Sequence, residues 1–184
     1  MDLNESNIKS VVNGVPVGDF SPFSDSEVEA CDAYAKKLCK KIEECYSLEV
    51  ISELDSYGSG YASYFDLFVT KRDKSQYTQK EGYVEIKGIS LYISRVAPVA
   101  VYGQGQRTRS ENGGSYGFLD ASAVGAEPSG DWSAELDQIR NYLNIYKYSL
   151  LSRSEVNKTL WFDVFVPTIL GSETVFDALF YWAD

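Results

Sequence analysis

The chain has 184 residues, a formal net charge of −10 at pH 7 and no histidine. Histidine is the commonest general base near neutral pH and the commonest metal ligand, so a Ser-His-Asp triad, a Cys-His pair and a histidine-ligated metal are excluded within this chain. This length, with 44% hydrophobic residues, suffices for one core. We therefore expect a single domain over residues 1–184, with residues 1–22 as an extended or partly ordered segment.

The charge is distributed unevenly along the chain. Residues 1–66 carry a net charge of −8, residues 67–118 carry +4 and residues 119–184 carry −6. Nucleic acids and anionic membranes are bound through positively charged surfaces, so this balance argues against both as partners. It favours a basic protein partner.

The start of the chain and its cysteines predict a cytoplasmic protein. Residues 1–20 contain no basic leader followed by an apolar core, and no run of about 18 apolar residues occurs. Cys31, Cys39 and Cys45 lie within one amphipathic stretch and lack a C-x-x-C spacing. We expect reduced, buried thiols, no bound metal and no cofactor.

The first predicted element is a helix that begins near Ser24. Ser24 to Glu27 match the serine and glutamate positions of a capping box. Apolar residues then recur at intervals of three and four, which is the helical period. They are Val28, Cys31, Tyr34, Ala35, Leu38, Ile42 and Cys45.

A group of strands follows this helix. Residues 61–70 alternate and predict a strand with Phe65, Leu67 and Val69 on one side. The polar residues 71–80 predict a hairpin loop, and residues 83–95 predict one strand or a pair. The apolar parity changes at Gly88, which indicates a bulge or bend there. Pro98 removes a backbone donor, so we place it at an edge or a bulge.

Residues 103–117 (GQGQRTRSENGGSYG) are predicted to form the main irregular segment. Its glycines permit unusual backbone conformations, and Arg107 and Arg109 can bind anions. Thr108 stands where the dinucleotide fingerprint requires glycine, so that motif is not met. Two hypotheses stay open, a flexible surface loop and a ligand-binding loop.

The last third of the chain predicts two more helices and a strand. Trp132, Leu136, Ile139 and later apolar residues indicate a helix over 131–148, with Ser129 or Asp131 as its cap. Alternation over 160–166 predicts a strand, and residues 175–182 predict a short apolar helix docked on the sheet. Because the strands cluster instead of alternating with helices, we predict an α+β fold with a mainly antiparallel sheet of about four to six strands.

Catalysis without histidine requires other acids and bases. Two carboxylates can hydrolyse glycosides, and Asp66, Glu85 and Asp163 all lie on predicted strands. Isolated acids on strands usually point to water, so we expect the protein not to be an enzyme. The alternative function is a small-ligand-binding protein or a carboxylate-based hydrolase that uses Arg107 and Arg109.

The organisation of the chain resembles that of a known class of bacterial proteins. The size, the acidity, the early helix, the segment ISRVAPVAVYG at 93–103 and the ending FDALFYWAD at 176–184 are similar to small α+β immunity proteins found beside polymorphic toxins. The resemblance implies a cytoplasmic protein-binding inhibitor that neutralises a cognate, basic toxin domain by binding it.

The candidate partner-binding residues lie where the basic middle of the chain gives way to the acidic last third. Loops on a rigid scaffold are the usual place for recognition, and acidic side chains there would steer a basic partner. We predict contacts from Tyr116, Asp120, Glu127, Asp131, Trp132 and Asp137.

Overall fold

The computed structural model describes residues 2–58, 60–166 and 174–183. The helices are α1 (Glu5–Val12), α2 (Val28–Glu43), α3 (Ser133–Ile145), α4 (Arg153–Val156) and α5 (Val175–Leu179). The strands are β1 (Leu48–Glu53), β2 (Tyr61–Ala62), β3 (Tyr64–Lys71), β4 (Tyr77–Lys80), β5 (Tyr83–Ser94), β6 (Val99–Arg109), β7 (Ser149–Leu150) and β8 (Trp182–Ala183).

The main sheet has six strands in the order β1-β3-β5-β6-β7, and β4 pairs with β5. Only the short β6–β7 pair is parallel, and the other pairs of this sheet are antiparallel. Strands β2 and β8 form a separate antiparallel pair. The predicted α+β class, with a mainly antiparallel sheet and three flanking helical regions, is confirmed.

Both faces of the central strands carry buried side chains. On the rear face, alternate apolar residues of β3 and β5 pack with helices α2 and α3. On the front face, Tyr64 and Tyr92 pack with α1 and α5. This burial explains why the seven residues from Tyr64 to Thr70 are all buried. The sheet is therefore the middle layer, and the helices on each side cover different parts of it.

The first long helix begins later than predicted. Ser24 bonds to Asp25 instead of capping the helix, and Ser26 takes a left-handed conformation with φ of 56°. Helix α2 starts at Val28 after the Glu27 position, which makes no side-chain cap bond. The capping-box prediction was wrong, because Phe23–Asp25 form a separate 3₁₀ turn before the helix. Phe23 anchors this turn, since its side chain is fully buried.

The N-terminal segment also differs from the expectation. Residues 5–12 form helix α1, which Asn4 caps by accepting a hydrogen bond from the Asn7 amide at 2.9 Å. Ile8, Val11 and Val12 of this helix are buried in the front-face cluster. Residues 5–12 are therefore an ordered helix within the segment 1–22, for which the sequence predicted extended or partly ordered chain.

The predicted hairpin loop at 71–80 contains a strand. β4 pairs with β5 up to Lys80↔Tyr83, so the hairpin turn is Glu81 and Gly82, where Gly82 has φ of 80°. β5 runs through Gly88 in continuous register with β6, so the predicted bulge was wrong. Gly88 is needed for another reason, because a side chain there would meet the Val69 carbonyl and the Phe68 ring.

The predicted irregular segment at 103–117 is half strand. β6 continues to Arg109, and only the residues after it leave the sheet and fold back along β6. Bridges join Arg107 to Tyr116 and Gly103 to Val124. Gly103 and Gly105 lie in the strand, where Leu119, Ala123 and Ser90 approach too closely for any side chain at these two positions.

In the C-terminal third, the predicted helix near 131–148 is confirmed as α3, and the predictions for residues 160–166 and 175–182 differ from the structure. Helix α3 begins at Ser133, and its cap position is Trp132, which makes no side-chain cap bond, so the predicted cap at Ser129 or Asp131 was wrong. Asp131 Oδ1 instead accepts a hydrogen bond from the Ser133 amide at 3.0 Å from one residue before the cap position. Residues 160–166 form no strand. They are irregular chain, and their alternate apolar side chains pack with the front-face cluster. Pro167, predicted to end that strand, lies outside the described residues. Helix α5 ends at Leu179, and Trp182 instead pairs with Ala62 in the small sheet.

The three cysteines are free and buried, as predicted. Burial raises the pKa of the Cys31 thiol to about 11. Within the described ranges, no group of three or more Cys, Asp or Glu side chains could hold a metal ion. Among the helices of the same ranges, none has the length and apolar content of a membrane span.

Helix α5 should contribute directly to stability. Leu179 is fully buried, and the Leu179→Ala substitution should lower the free energy of unfolding by about 2–5 kcal/mol, because it leaves a cavity. The control is Ile145→Ala on the exposed end of α3, which should change it by about 0.5 kcal/mol or less. Urea unfolding measures both. Equal effects would show that α5 is not part of the core.

Candidate functional site

A buried ion pair lies on the front face of the sheet. Asp66 of β3 and Arg107 of β6 both point to this face, and Arg107 Nη2 lies 3.7 Å from Asp66 Oδ2. The side chain of Asp66 is 3% exposed and that of Arg107 is 14% exposed. The arginine therefore reaches across β5 to a carboxylate that is almost removed from water.

Two aromatic rings enclose the Arg107 guanidinium. Its Cζ atom lies 5.0 Å from the centre of the Phe68 ring and 4.7 Å from the centre of the Tyr116 ring. A guanidinium at such distances is attracted to the faces of aromatic rings. Arg107 thus joins the sheet, through Phe68, to the segment that returns along β6, through Tyr116.

Tyr57 contacts both the Asp66 carboxylate and the Tyr116 ring. It lies in the 3₁₀ turn Ser56–Gly58, has φ of 58°, and its amide donates to Glu53 Oε1 at 3.1 Å. Its hydroxyl donates to Asp66 Oδ2 at 3.1 Å. The ring stacks on Tyr116 with centres 6.1 Å apart and meets the edge of Phe118 at 5.2 Å. Two carboxylates therefore fix the position of this ring.

The Asp66 carboxyl group has a raised pKa, because the native structure disfavours its charged form. Burial raises its pKa from 3.8 to about 6, although Arg107 and the Tyr57 hydroxyl act in the opposite direction, and the nearby Glu53 adds to the increase. Burial of the Tyr57 hydroxyl, together with the charge of Asp66, raises the pKa of Tyr57. Asp66 Oδ1 is buried without a hydrogen-bond partner among the described residues. Arg107 therefore compensates only part of the cost of burying this charge.

Above the ion pair, two aromatic side chains reach solvent. Tyr116 is 43% exposed and Phe118 is 59% exposed, and we call this pair the aromatic platform. Beside it lies an open cavity of about 390 Å³. Its lining includes Ser90, Gly105, Gln106 and both platform residues. The platform is thus a surface feature whose lower side is held by Arg107 and Tyr57.

The predicted contact residues are only partly brought together. Tyr116 lies on the front face, and Asp120, Glu127, Asp131 and Asp137 are exposed. Trp132 is fully buried in the rear-face core beneath the Lys71 ammonium, so its prediction as a partner contact was wrong. Trp132 immediately precedes α3 and packs with this helix in the rear-face core.

The two predicted ligand-loop arginines have different surroundings. Arg107 contacts Tyr116, so the structure joins a residue of the ligand hypothesis to one of the partner hypothesis. Arg109 is exposed at the end of β6. Both arginines lie on a strand and not on the predicted loop.

The three predicted carboxylates do not meet. Glu85 follows Val84 and precedes Ile86, which pairs with Arg107, so Glu85 points to the opposite face. Asp163 is exposed and lies outside any strand. The acid opposite Asp66 is Glu53, in register on β1. Nothing in the sequence pattern pairs Glu53 or Tyr57 with Asp66, because that pairing depends on the order of the strands.

No family model, curated protein or solved structure matches this chain. What the site can do follows from its own chemistry. It presents a fixed aromatic pair to solvent, with a cation held beneath it and a buried carboxyl group of raised pKa. Such an arrangement suits recognition, since rigid aromatic groups bury area on binding with little loss of conformational freedom.

The raised pKa of Asp66 has a consequence for stability. Between pH 4 and pH 6 the native state holds a proton on Asp66 that the unfolded state has lost, so this group makes stability fall as the pH rises. Asp66→Asn removes the titration. The variant should therefore gain about 2–3 kcal/mol relative to the original chain between pH 4 and pH 7. Urea unfolding at several pH values measures the difference, and a pH-independent difference would contradict the burial argument.

Proposed function

We propose that this protein is a protein-binding module that docks a basic protein partner on its aromatic platform. The observation that carries the proposal is that Tyr116 and Phe118 are exposed while their positions are fixed by Arg107 and Tyr57. Interface residues that dominate binding are enriched in tyrosine and arginine and lie in well-packed surroundings. A platform of this kind is already arranged for binding.

The charge of the chain supports a basic partner. The net charge is −10, and the residues from 119 onward carry a net charge of −6. Asp120 is exposed two residues after Phe118, and its pKa is lowered by hydrogen bonds from Ser122, so it is ionised at neutral pH. Such a field increases the association rate of a positively charged protein.

The finer proposal is an immunity-type inhibitor that acts in the cytoplasm without catalysing a reaction. Its support is the resemblance in size, acidity and chain organisation, together with the platform. Toxins that attack nucleic acids carry positive surfaces for that substrate, and an acidic inhibitor is complementary to such a surface. In this role the protein would cover the functional surface of one cognate toxin domain.

Substitutions in the platform test the proposed binding surface. The partner would be captured from the native cell, identified, produced separately and titrated against the full chain. Tyr116→Ser and Phe118→Ser should each weaken binding about tenfold to thirtyfold, because each removes apolar area from the centre of the interface. Their melting temperatures should stay near that of the original chain, since both side chains reach solvent.

The matched control is Ile145→Ser, which removes another exposed apolar side chain at the end of α3. It should leave the affinity unchanged. Asp120→Asn should slow association at low salt and have little effect at high salt. The proposal fails if both platform variants bind as tightly as the original chain, or if the control weakens binding to the same extent.

A small-ligand or hydrolytic function is the second candidate. It is favoured by the cavity of about 390 Å³ beside the platform and by the pKa of about 6 of the buried Asp66 carboxyl group. A candidate hydrolase activity would depend on that carboxyl group, so Asp66→Asn should abolish any turnover found in a substrate screen. Turnover that persists in this variant would reject the assignment.

A further inference from the structure

One edge of the main sheet is open. β1 is the first strand in the sheet order and pairs only with β3 within the described residues. Five of its six residues are half-buried, whereas nearly all of β3 is buried. At the opposite side, β7 and the segment that returns along β6 pair with parts of β6. An edge strand presents unpaired backbone donors and acceptors to another chain.

The front-face side chains of β1 alternate in a simple pattern. Glu49, Ile51 and Glu53 share this face, because Ile51 is in register with Phe68 and Glu53 is in register with Asp66. Glu49 accepts a hydrogen bond from the Tyr77 hydroxyl at 2.7 Å, which fixes its carboxylate on the front face. A strand added beside β1 would therefore meet an acid, an apolar side chain and a second acid.

We propose that the open edge of β1 pairs with an extended segment of a basic protein partner, in which basic, apolar and basic residues alternate. The inference rests on the proposed protein-binding function and adds a second contact surface to it. Backbone hydrogen bonds to an exposed edge provide the affinity in this mode of recognition, and alternate side chains provide the specificity. Opposite charges directly across two strands stabilise the pairing.

The charge pattern selects against a second copy of this chain as the occupant. Two antiparallel copies centred on Ile51 would place Glu49 of each beside Glu53 of the other. Two parallel copies in register would place each acid beside itself. Like charges opposite one another destabilise strand pairing, so the edge is protected from self-association. A strand with lysine or arginine at those positions removes the repulsion.

The edge is continuous with the aromatic platform. Glu53, the last residue of β1, accepts hydrogen bonds from the amides of Asp55 and Tyr57, and the Tyr57 ring stacks on Tyr116. A strand that lies along β1 would thus end next to the platform. One partner can therefore contact both surfaces.

Peptide binding to the isotopically labelled full chain tests the inference without the natural partner. The probe is a backbone-cyclised β-hairpin whose outer strand reads Lys-Thr-Val-Thr-Lys, and the control hairpin carries Glu in place of both Lys. The lysine hairpin should shift the amide resonances of residues 48–53 in a saturable way. It should bind about tenfold more tightly than the glutamate hairpin.

Variants of β1 separate charge from structure. Glu49→Gln and Glu53→Gln keep the acceptor oxygens that bond to Tyr77, Asp55 and Tyr57, so the fold is preserved. Combined, they should weaken binding of the lysine hairpin about tenfold. The control Glu29→Gln, which neutralises an exposed acid in the first turn of α2, should leave binding unchanged.

Three results would overturn the inference: no saturable shifts at residues 48–53, equal binding of both hairpins, or shifts centred on Tyr116 and Phe118 instead. The peptide experiment and the platform experiment fail separately. Hairpin binding at β1 together with full partner affinity in Phe118→Ser would reject the platform and keep the edge. Loss of partner affinity in Phe118→Ser without hairpin binding would reject the edge and keep the platform.

Discussion

The Asp66 carboxylate is buried on a sheet face between Arg107 and Tyr57, and the arrangement of the front face depends on it. Removing a carboxylate from water is expensive, and replacing a buried ion pair by apolar groups is often neutral or stabilising. Here the pKa of Asp66 stays above its ordinary value in spite of Arg107. The pair is therefore better explained by what it positions than by stability.

What the pair positions is a set of aromatic rings. Arg107 lies between Phe68 and Tyr116, and Tyr57 contacts both Tyr116 and Phe118. The segment after β6 is also joined to the sheet by isolated bridges, by a hydrogen bond from the Leu119 amide to the Tyr92 hydroxyl, and by the buried side chains of Leu119 and Val124. The ion pair between β3 and β6 thus helps to hold Tyr116 directly, through Arg107, and Phe118 through Tyr57. Binding to such a surface costs less conformational entropy.

Local patterns in the sequence were sufficient for elements whose hydrogen bonds are local. Helix α3 was predicted because its apolar period depends on neighbouring residues, although its cap position is Trp132 and not Asp131. Strand β4 was missed because its polar residues show no apolar alternation, although it pairs with the next strand, β5, across a two-residue turn. The end of β6 was missed because its glycine and polar residues pair with the start of β5, which is distant in sequence. The same limit applies to the site. Its binding residues Arg107 and Tyr116 were chosen for separate roles, and their contact follows only from the folding of one segment along β6.

The most direct test of the account is the partner affinity of Asp66→Asn at pH 7, measured beside its stability. If the carboxylate is retained to hold the platform, the variant will be at least as stable as the original chain, because the native state disfavours the ionised form of Asp66. It will also bind its partner more weakly, because Arg107 loses its ion pair and the rings lose their fixed position. Unchanged affinity in a stably folded variant would contradict the claim that this buried charge organises the binding surface.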